Sequence, residues 1–324
     1  MRVIYGTGSL KKFKAKAKVV AVGVFDGVHL GHQMILRRVV KEARRSSTAS
    51  VASAVVTFSF HPSHLFDPLK KIPHLTSLEH KISIIAACGI DYCYVVHFDR
   101  VFASMTPELF IKDILLDKIG MVSMYVGEDF MFGRGAKGDK DLLKTLSKRF
   151  HFKLRVLKHL KLGNRIVSST FIRTLVRNGR LDSAAHLLGR YVSILGNVIK
   201  GEGLGASLGF PTANIMPNHE VLVPDGIYAT YSIYRGKAFK SVTYIGTRPT
   251  LRTKNEIFGF TEGPRRSIES FLFDFRKNIY GAKMEIQFVK KMRDDKKFDS
   301  ASELARAIEQ DVLSARKILD KTQR

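Results

Sequence analysis

Residues 23–33 read GVFDGVHLGHQ and place a His-x-Gly-His pair between two different hydrophobic patterns. Before the pair, residues 19–25 form an apolar, β-branched run that is typical of a strand buried on both faces of a parallel sheet. After it, apolar side chains recur at helical spacing from Gln33 to Arg45. The sequence therefore predicts that His29 and His32 lie at or just before the N-terminus of a helix that follows a buried strand.

This strand-to-helix turn is predicted to bind a phosphate. Unpaired backbone N–H groups and the positive end of the helix dipole attract anions, and two imidazoles can donate hydrogen bonds to the same triphosphate as charge builds. Such chemistry needs no nucleophilic side chain. The further candidate nucleotide-binding residues in the turn are Gly23, Phe25, Asp26, Gly27 and Gly31.

The length and composition of the chain favour a two-domain cytoplasmic protein. A chain of 324 residues exceeds the usual size of a single hydrophobic core. No apolar stretch is long enough to span a bilayer, and the basic N-terminal patch is not followed by a cleavable apolar segment, so we expect no membrane partner. Cys88 and Cys93 are the only cysteines, which suits buried thiols in a reducing compartment.

The formal net charge of +25 is the one extreme of the composition. It fits a nucleic-acid partner, an anionic surface or phosphate-rich small substrates, and charge alone does not choose between them. The stretch 142–181 contains no acidic residue at all. A solvated basic surface explains most of these cations equally well.

The hydrophobic pattern divides the chain into two halves. Strand and helix patterns alternate in the first half, which predicts a doubly wound parallel sheet of the α/β class. The predicted elements there are strands 51–58, 92–97 and 122–126 and helices 77–87 and 106–119. After Gly189, short β-runs separated by turn signals predict a small antiparallel β-barrel with a C-terminal helix. Those elements are strands 191–199, 227–234, 239–245, 267–275 and 283–289 and helix 301–319. We place the domain boundary between residues 184 and 185.

Three further segments in the first half carry candidate site residues. His61 and Pro62 follow the second strand, and a histidine before a proline must lie in a loop at the edge of the sheet. Residues 126–133 follow a later strand, and their Phe130 and Phe132 rings can cover a flat heterocycle while Asp129 bonds its polar edge. Residues 133–138 also fit the pattern Gly-x-Gly-x-x-Gly. In a dinucleotide-binding turn these glycines directly follow a strand, and here they do not, so we do not assign that function to them.

The third of these segments is Ser168-Ser169-Thr170, whose hydroxyls can cap a helix start. Arg173 follows one turn later, where its fork of donors matches a phosphate.

The second half contains a glycine-rich segment at residues 201–214. Backbone N–H groups that no side chain covers can hold phosphates, and the candidates are Gly203, Gly205 and Gly209. The hydroxyl of Thr212 and the amide oxygen of Asn214 can together hold Mg²⁺. Strand alternation turns Glu269 to the same face as Phe271 and Phe273, and a carboxylate beside aromatic rings is costly unless it is used.

Taken together, these motifs resemble the H-x-G-H nucleotidyltransferase superfamily, and within it the bacterial bifunctional riboflavin kinase/FAD synthetase family. The matching strings, in order, are GVFDGVHLGH, HP, GEDFMFG, SSTFIR and LGFPTAN. The sequence departs from the family pattern at Phe60, Ala206 and Phe271, where the family commonly has proline, arginine and histidine, and in the connector 251–266.

The resemblance implies that ATP phosphorylates riboflavin to FMN in the carboxyl half and adenylylates FMN to FAD in the amino half, with Mg²⁺. It makes His29, His32 and Arg173 the phosphate ligands of the second reaction and Glu269 the base of the first. It assigns flavin contacts to His61, Pro62, Asp129, Phe130, Phe132 and Arg293.

Two other hypotheses remain. One is a different H-x-G-H adenylyl- or cytidylyltransferase whose second domain is inactive. The other is a basic nucleic-acid-binding protein on this scaffold, which we regard as the weaker alternative because the motifs favour small-molecule substrates.

Overall fold

The computed structural model describes residues 1–6, 17–45, 51–59, 72–201, 203–219, 222–247 and 266–322. The predicted site residues His61 and Pro62 lie outside these ranges, as do the departure at Phe60 and most of the connector that follows residue 247. The chain forms two compact units, Met1–Ser169 and Thr170–Arg324. The functional boundary after residue 184 stays a prediction.

The first unit is built on a six-stranded parallel sheet with the strand order β1-β4-β3-β2-β5-β6. The strands are β1 (Arg2–Tyr5), β2 (Ala17–Val22), β3 (Val51–Phe58), β4 (Tyr92–Val96), β5 (Met121–Gly127) and β6 (Lys153–Leu157). A small antiparallel ribbon of β7 (Lys161–Leu162) and β8 (Arg165–Ile166) follows. The predicted doubly wound α/β fold is confirmed.

Helices cover both faces of this sheet. They are α1 (Leu30–Arg45), α2 (Leu78–Ala87), the short α3 (Arg100–Ala103) and α4 (Pro107–Leu109), a π-helix (Phe110–Ile119) and α5 (Lys140–Arg149). Alternation along β2 explains the two layers. Val20 and Val22 pack against the π-helix and α5, whereas Val19 and Ala21 pack against α1 and α2.

The strand order places a topological switch point between β2 and β5. From β2 the chain moves outward through β3 and β4, and it then crosses to the other side of β2 to form β5. In open α/β sheets, ligands bind in the crevice at the carboxyl ends of the strands that flank such a point. The His-x-Gly-His turn follows β2 and residues 128–133 follow β5, so both segments begin at the carboxyl ends of the strands that flank this crevice.

The second unit is a closed six-stranded antiparallel barrel with the order β10-β13-β12-β11-β14-β9. Its strands are β9 (Val192–Ile199), β10 (Ala213–Pro217), β11 (Gly226–Tyr234), β12 (Lys237–Thr247), β13 (Arg266–Leu272) and β14 (Lys283–Arg293). Its helices are α6 (Ser169–Arg177), α7 (Leu181–Leu188), the short α8 (Leu204–Ser207) and α9 (Ala301–Lys321). The predicted barrel and C-terminal helix are confirmed.

Helix α9 packs on the outer surface of the barrel. Ala315 and Leu319 lie against apolar side chains of β11, β12 and β14. The hydroxyl of Tyr231 donates to the carbonyl of Leu319 over 3.1 Å, which satisfies a carbonyl of the last helical turn. The helix therefore covers an apolar outer face that alternation along the strands would otherwise expose.

Five fully buried hydroxyl groups form a hydrogen-bonded network in the barrel. They belong to Thr230, Ser232, Ser241, Thr243 and Ser270. The Ser241 hydroxyl lies 2.8 Å from that of Thr230 and 2.9 Å from that of Ser232, and Thr243 donates to Ser270 over 3.0 Å. Because every member has a partner inside the network, these polar groups can be buried without a large desolvation penalty.

Replacing Ser241 by alanine is expected to destabilise the barrel by about 1–3 kcal/mol, because the hydroxyls of Thr230 and Ser232 each lose a buried partner. Urea unfolding followed by tyrosine fluorescence measures the change. The matched control is Ser314→Ala, at an exposed position of α9, where we expect a change within about 0.5 kcal/mol. Equal stabilities of the two variants would contradict this role of the network.

Candidate active sites

The turn that follows β2 has a strained backbone. Phe25 has a φ of 54° and Val28 a φ of 38°, values that L-residues, and β-branched ones above all, rarely adopt. Both side chains are buried, with exposed fractions of 2% and 0%. Residues 19–25 were expected to be strand throughout, but β2 ends at Val22 and Phe25 turns the chain toward α1.

The two histidines of the motif stack on each other. Their ring centroids are 3.6 Å apart with an interplanar angle of 18°, and the ring of Phe25 meets His32 edge-on at 5.1 Å. The Nδ1 atom of His29 accepts a hydrogen bond from the backbone N–H of His32 over 3.4 Å, which leaves the ring proton on Nε2. The Nδ1 atom of His32 is buried and has no partner among the described residues. An unsatisfied buried nitrogen of this kind lacks a hydrogen-bond partner that a ligand would supply.

Gly31 allows the close approach of His29. A Cβ atom on Gly31 would lie 3.2 Å from both Cε1 and Nδ1 of the His29 ring. Any larger residue would press on the imidazole, so the glycine between the two histidines leaves the space that the His29 ring occupies.

Burial lowers the pKa of His32 well below 6.5, and the charges of His29 and Lys81 lower it further. His32 is therefore neutral in the folded protein at neutral pH, and the histidine can donate from only one of its ring nitrogens.

The lowered pKa of His32 makes the first unit less stable in mild acid. Below about pH 6.5 the unfolded chain takes up a proton at this histidine, whereas the folded protein does not until a lower pH. The free energy of unfolding should thus fall as the pH falls from 7.5 to 5.5. Urea titrations at both pH values are expected to show a smaller fall for His32→Gln than for the unchanged protein, and identical falls would contradict the shift.

Residues 75 and 76 are hydrogen-bonded to the turn. Oδ1 of the buried Asp26 accepts hydrogen bonds from the backbone N–H groups of Leu75 at 2.9 Å and of Thr76 at 3.4 Å. The hydroxyl of Thr76 accepts in return from the N–H of Gly27 over 3.2 Å. The residue that caps the following helix is its neighbour Ser77, whose hydroxyl accepts from the N–H of His80. The hydroxyl of Thr76 serves the turn instead.

The serine segment also reaches this turn. The hydroxyl of Ser169 donates to the carbonyl oxygen of Asp26 over 2.9 Å. Ser168 precedes it, Thr170 follows in α6, and Arg173 lies further along the same helix with an exposed fraction of 9%. The structure thus brings Ser169 to the His-x-Gly-His turn, and the phosphate contacts of Arg173 stay a prediction.

The aromatic residues after β5 lie partly in the core. Phe130 and Phe132 stack with centroids 5.4 Å apart, and Phe132 is 7% exposed and packs against Phe110. Phe130 is half-buried and Asp129 is exposed. Of the two rings, only Phe130 is exposed enough to contact a ligand, whereas the buried ring of Phe132 packs against it.

In the barrel, three predicted site residues come together: Thr212 directly before β10, Asn214 on β10 and Glu269 on β13. Asn214 and Glu269 are register partners on β10 and β13. The hydroxyl of Thr212 donates to Oε2 of Glu269 over 3.3 Å, and that of Ser267 donates to Oε1 over 3.1 Å. Ser267 was not predicted as a site residue. The arrangement places hydroxyl, amide and carboxylate oxygens within one small region, a donor set that a hard cation prefers.

The glycine-rich segment lies close to these groups. A Cβ atom on Gly201 would lie 2.1 Å from Nδ2 of Asn214, so only glycine leaves room for that amide. Gly203 and Gly209 flank α8, which contains Gly205. Phe271, two residues after Glu269 on β13, meets Phe210 edge-on at 5.5 Å. As predicted, Glu269 and Phe271 share the face of β13 that points away from the buried side chains of the barrel.

Arg293 lies at the end of β14 and pairs with Asp311 of α9. Its Nε and Nη2 atoms donate to the two carboxylate oxygens over 3.0 and 2.7 Å. This bidentate pair ties the terminal helix to the barrel. A flavin contact by Arg293 stays a prediction. The observed partner of its guanidinium is the carboxylate of Asp311.

An open cavity of about 400 Å³ lies along the carboxyl-terminal half of α1. Its lining residues are Arg37, Val40, Lys41, Arg44, Arg45 and Cys88. Arg44 is twelve residues from His32 on the same helix, which corresponds to about 18 Å. Four of the basic residues of the chain therefore line a cavity that extends along α1 away from the histidines.

Comparison with known proteins accounts for both halves. Residues 11–171 match the FAD synthetase family and residues 188–319 match the riboflavin kinase family. The bifunctional riboflavin kinase/FMN adenylyltransferase of Escherichia coli (strain K12) is 34% identical over 323 residues, which cover 99% of each chain. The chain belongs to the bifunctional riboflavin kinase/FMN adenylyltransferase family. A relative of the same name from Bacillus subtilis (strain 168) is 37% identical over 306 residues, covering 93% of this chain and 92% of that one.

A solved structure shares the fold of this family member. A crystal structure described as a macrolide-efflux protein from Streptococcus pneumoniae superposes with a TM-score of 0.81 and 25% identity, covering 98% of this chain and 99% of that chain. In the part of the present chain that the structure describes, no helix is long and apolar enough to cross a membrane.

The family match covers the motifs in both halves. The FAD synthetase range contains the stacked histidines and Ser169, and the riboflavin kinase range contains Thr212, Asn214 and Glu269. The resemblance inferred from the sequence is confirmed. ATP, FMN and FAD follow as substrates and products of the family's two activities.

Proposed function

We propose that the two halves of the chain carry out consecutive reactions of flavin synthesis. The carboxyl half, residues 185–324, phosphorylates riboflavin to FMN with ATP. The amino half, residues 1–184, adenylylates FMN to FAD and releases pyrophosphate. The observation that carries the proposal is the stacked His29–His32 pair at the switch point of the sheet, in which the buried Nδ1 atom of His32 lacks a partner among the described residues.

In the first reaction Glu269 acts as the general base. Its carboxylate takes the proton from the terminal ribityl hydroxyl, the freed oxygen bonds to the γ-phosphorus of ATP, and the bond to the bridging oxygen of ADP breaks. The hydrogen bonds from Thr212 and Ser267 support this role because they orient the carboxylate. Phe210 and Phe271 provide an apolar surface beside it.

The residues around Glu269 fit a magnesium ion. Thr212 and Asn214 would hold it, since a hydroxyl and an amide oxygen beside a carboxylate form an all-oxygen donor set, and Gly201 leaves the space that the Asn214 amide needs. When bound, Mg²⁺ neutralises phosphate charge during transfer. Gly203, Gly205 and Gly209 offer backbone N–H groups for the phosphates of ATP.

In the second reaction a phosphate oxygen of FMN attacks the α-phosphorus of ATP in line, and the bond to pyrophosphate breaks. The attacking phosphate is already ionised, so the step needs no base. His29, His32 and Arg173 donate hydrogen bonds to the phosphates as charge develops, with Ser168, Ser169 and Thr170 at the start of α6. This role of His32 is supported by its Nδ1 atom, which has no partner among the described residues.

The flavin ring of FMN packs against Phe130, with Asp129 at its polar edge. The half-exposed ring of Phe130 and the exposed carboxylate of Asp129 support this placement. His61 and Pro62 complete the proposed contacts, buried Phe132 supports the ring of Phe130, and Arg293 is the proposed contact in the kinase half. The cytoplasm is the proposed location, supported by Cys88 and Cys93, which are not bonded to each other.

Chromatography of the products tests the proposal. The purified protein is incubated with riboflavin, ATP and Mg²⁺, and in a second reaction with FMN in place of riboflavin. We expect FMN and FAD in the first reaction, FAD in the second, ADP from the first step and pyrophosphate from the second. FAD from FMN without riboflavin phosphorylation would favour a nucleotidyltransferase with an inactive second domain. Absence of any flavin product would overturn both assignments.

Oligonucleotide binding is the second candidate function, and the basic cavity along α1 is the observation that favours it. Such binding should weaken steeply with salt, because each neutralised phosphate releases counterions. A fluorescent oligonucleotide titrated at two salt concentrations decides the matter. Submicromolar affinity at physiological salt, lost in the variant Arg37→Ser/Arg44→Ser, would establish it as an additional property of the protein.

A further inference from the structure

Lys81 is a buried lysine at the carboxyl end of the parallel sheet. It lies in α2, yet only 5% of its surface is exposed. Its Nζ atom donates to the carbonyl oxygen of Val24 over 3.0 Å and to that of Phe58 over 3.0 Å. Val24 follows β2 and Phe58 ends β3, so a single ammonium group joins the exits of two neighbouring strands.

The carbonyl of Val24 is the point at which the phosphate-binding turn leaves the sheet. It accepts a second hydrogen bond, from the hydroxyl of Thr57, also over 3.0 Å. The next residue is Phe25, the first residue of the strained turn. Two donors on one carbonyl fix the orientation of the peptide that starts the turn, which is how a surrounding structure holds a backbone in a sparsely populated conformation.

The charge of Lys81 interacts with two residues of the phosphate-binding turn, Asp26 and His32. Burial lowers the pKa of Lys81 to about 8, while the charge of Asp26 acts in the opposite direction, so the group remains an ammonium at neutral pH. The same charge contributes to the lowered pKa of His32. Lys81 therefore affects both the backbone of the turn and the protonation of one of its histidines.

We propose that Lys81 is a positioning residue for adenylyl transfer, which sets the turn carrying His29 and His32 by joining the ends of β2 and β3. The inference rests on the proposed adenylyltransferase activity of the amino half. Lys81 donates to protein carbonyls and does not need to touch a substrate. Its effect on the reaction comes through the placement of the histidines, where a displacement of about 1 Å can reduce the rate by about 100-fold.

The chain offers a matched control in Lys18. This second buried lysine, with an exposed fraction of 0%, lies in β2 at the opposite end of the sheet and donates to the carbonyl of Ile119 over 2.8 Å. Lys18→Met and Lys81→Met each replace a buried ammonium by an unbranched apolar side chain of similar length. Only Lys81→Met removes a contact to the phosphate-binding turn.

The test measures FAD formation from FMN and ATP, together with riboflavin phosphorylation as an internal control in the same chain. We expect Lys81→Met to lower kcat for FAD formation by about 10- to 100-fold and to leave riboflavin phosphorylation within about twofold of the unchanged protein. Lys18→Met should leave both rates near those of the unchanged protein. If the unchanged protein makes no FAD, the proposed function itself fails, which is a different result from an insensitive Lys81 variant.

A second readout follows His32 by NMR, with its signal assigned through His32→Gln. The pKa of His32 should rise in Lys81→Met and stay unchanged in Lys18→Met, because only Lys81 faces that ring. Full adenylyl transfer in Lys81→Met, or an equal loss in the two methionine variants, would overturn the proposal.

Should Lys81→Met not fold, Lys81→Gln decides. The glutamine side chain is shorter than lysine and carries no charge, so a rate about fivefold or more below that of the unchanged protein supports the proposal. An unchanged rate in Lys81→Gln overturns it.

Discussion

Replacing His32 by alanine is expected to lower the rate of FAD formation from FMN by about 10²- to 10³-fold, the usual effect of losing one donor to developing charge. The imidazole stacks on His29 at 3.6 Å and has a buried nitrogen with no partner in the described part of the chain. Its removal takes away a phosphate donor and also the support of the neighbouring ring. Because the donor acts most strongly on the transition state, we expect kcat to fall more than the KM for ATP rises.

Riboflavin phosphorylation in the same variant is the control for folding. His32 lies in the FAD synthetase range and the kinase residues lie in the riboflavin kinase range, so the first reaction should continue at an unchanged rate. The variant would accumulate FMN where the unchanged protein makes FAD. Near-normal FAD production would remove the His-x-Gly-His motif from the proposed mechanism.

The parts of the fold with strong periodicity could be predicted from the sequence. Strand β3 occupies residues 51–58 as expected, and helical structure covers residues 107–119 of the predicted helix 106–119. Other features leave little trace in the sequence. The edge strand β1, the strands β6 and β10, and the π-helical hydrogen bonding of residues 110–119 were not predicted, because short strands and π-turns have no distinctive periodicity.

The candidate sites show the same division. Residue types that carry chemistry, such as His29, Thr212 and Glu269, could be found by motif, and the last two lie in contact. The residues that hold the histidine turn in place could not be found by motif. Leu75 donates through its backbone N–H, which any residue except proline supplies, and Lys81 occupies a helical position that reads as a solvent-facing lysine. Only the packing of α2 on the sheet makes that lysine part of the site.

Both candidate sites hold their reactive groups through neighbours on other elements. In the amino half, the segment 74–81 braces the turn that carries the histidines. In the barrel, Thr212 and Ser267 hold the two oxygens of Glu269 from separate positions. The orientation of a catalytic group is thus shared between several weak contacts, and the loss of one contact should reduce a rate without abolishing it.

Replacing Glu269 by glutamine is expected to lower the rate of riboflavin phosphorylation by about 10²- to 10⁴-fold, the range for loss of a general base. The amide retains the shape of the side chain and can still accept from Thr212 or Ser267, but it does not take a proton from the ribityl hydroxyl. FAD formation from added FMN should remain unchanged, since that reaction needs no base.

The matched control for this variant is Glu285→Gln on β14, in the same barrel. Glu285 accepts from Gln287 over 3.3 Å and lies on a strand that is not adjacent to β13. It loses the same charge, so a drop common to both variants would indicate a general electrostatic effect on ATP binding. A drop confined to Glu269→Gln, in kcat rather than in the KM for ATP, assigns the proton transfer to Glu269. Full phosphorylation by that variant would require another base among the groups that surround the ribityl chain.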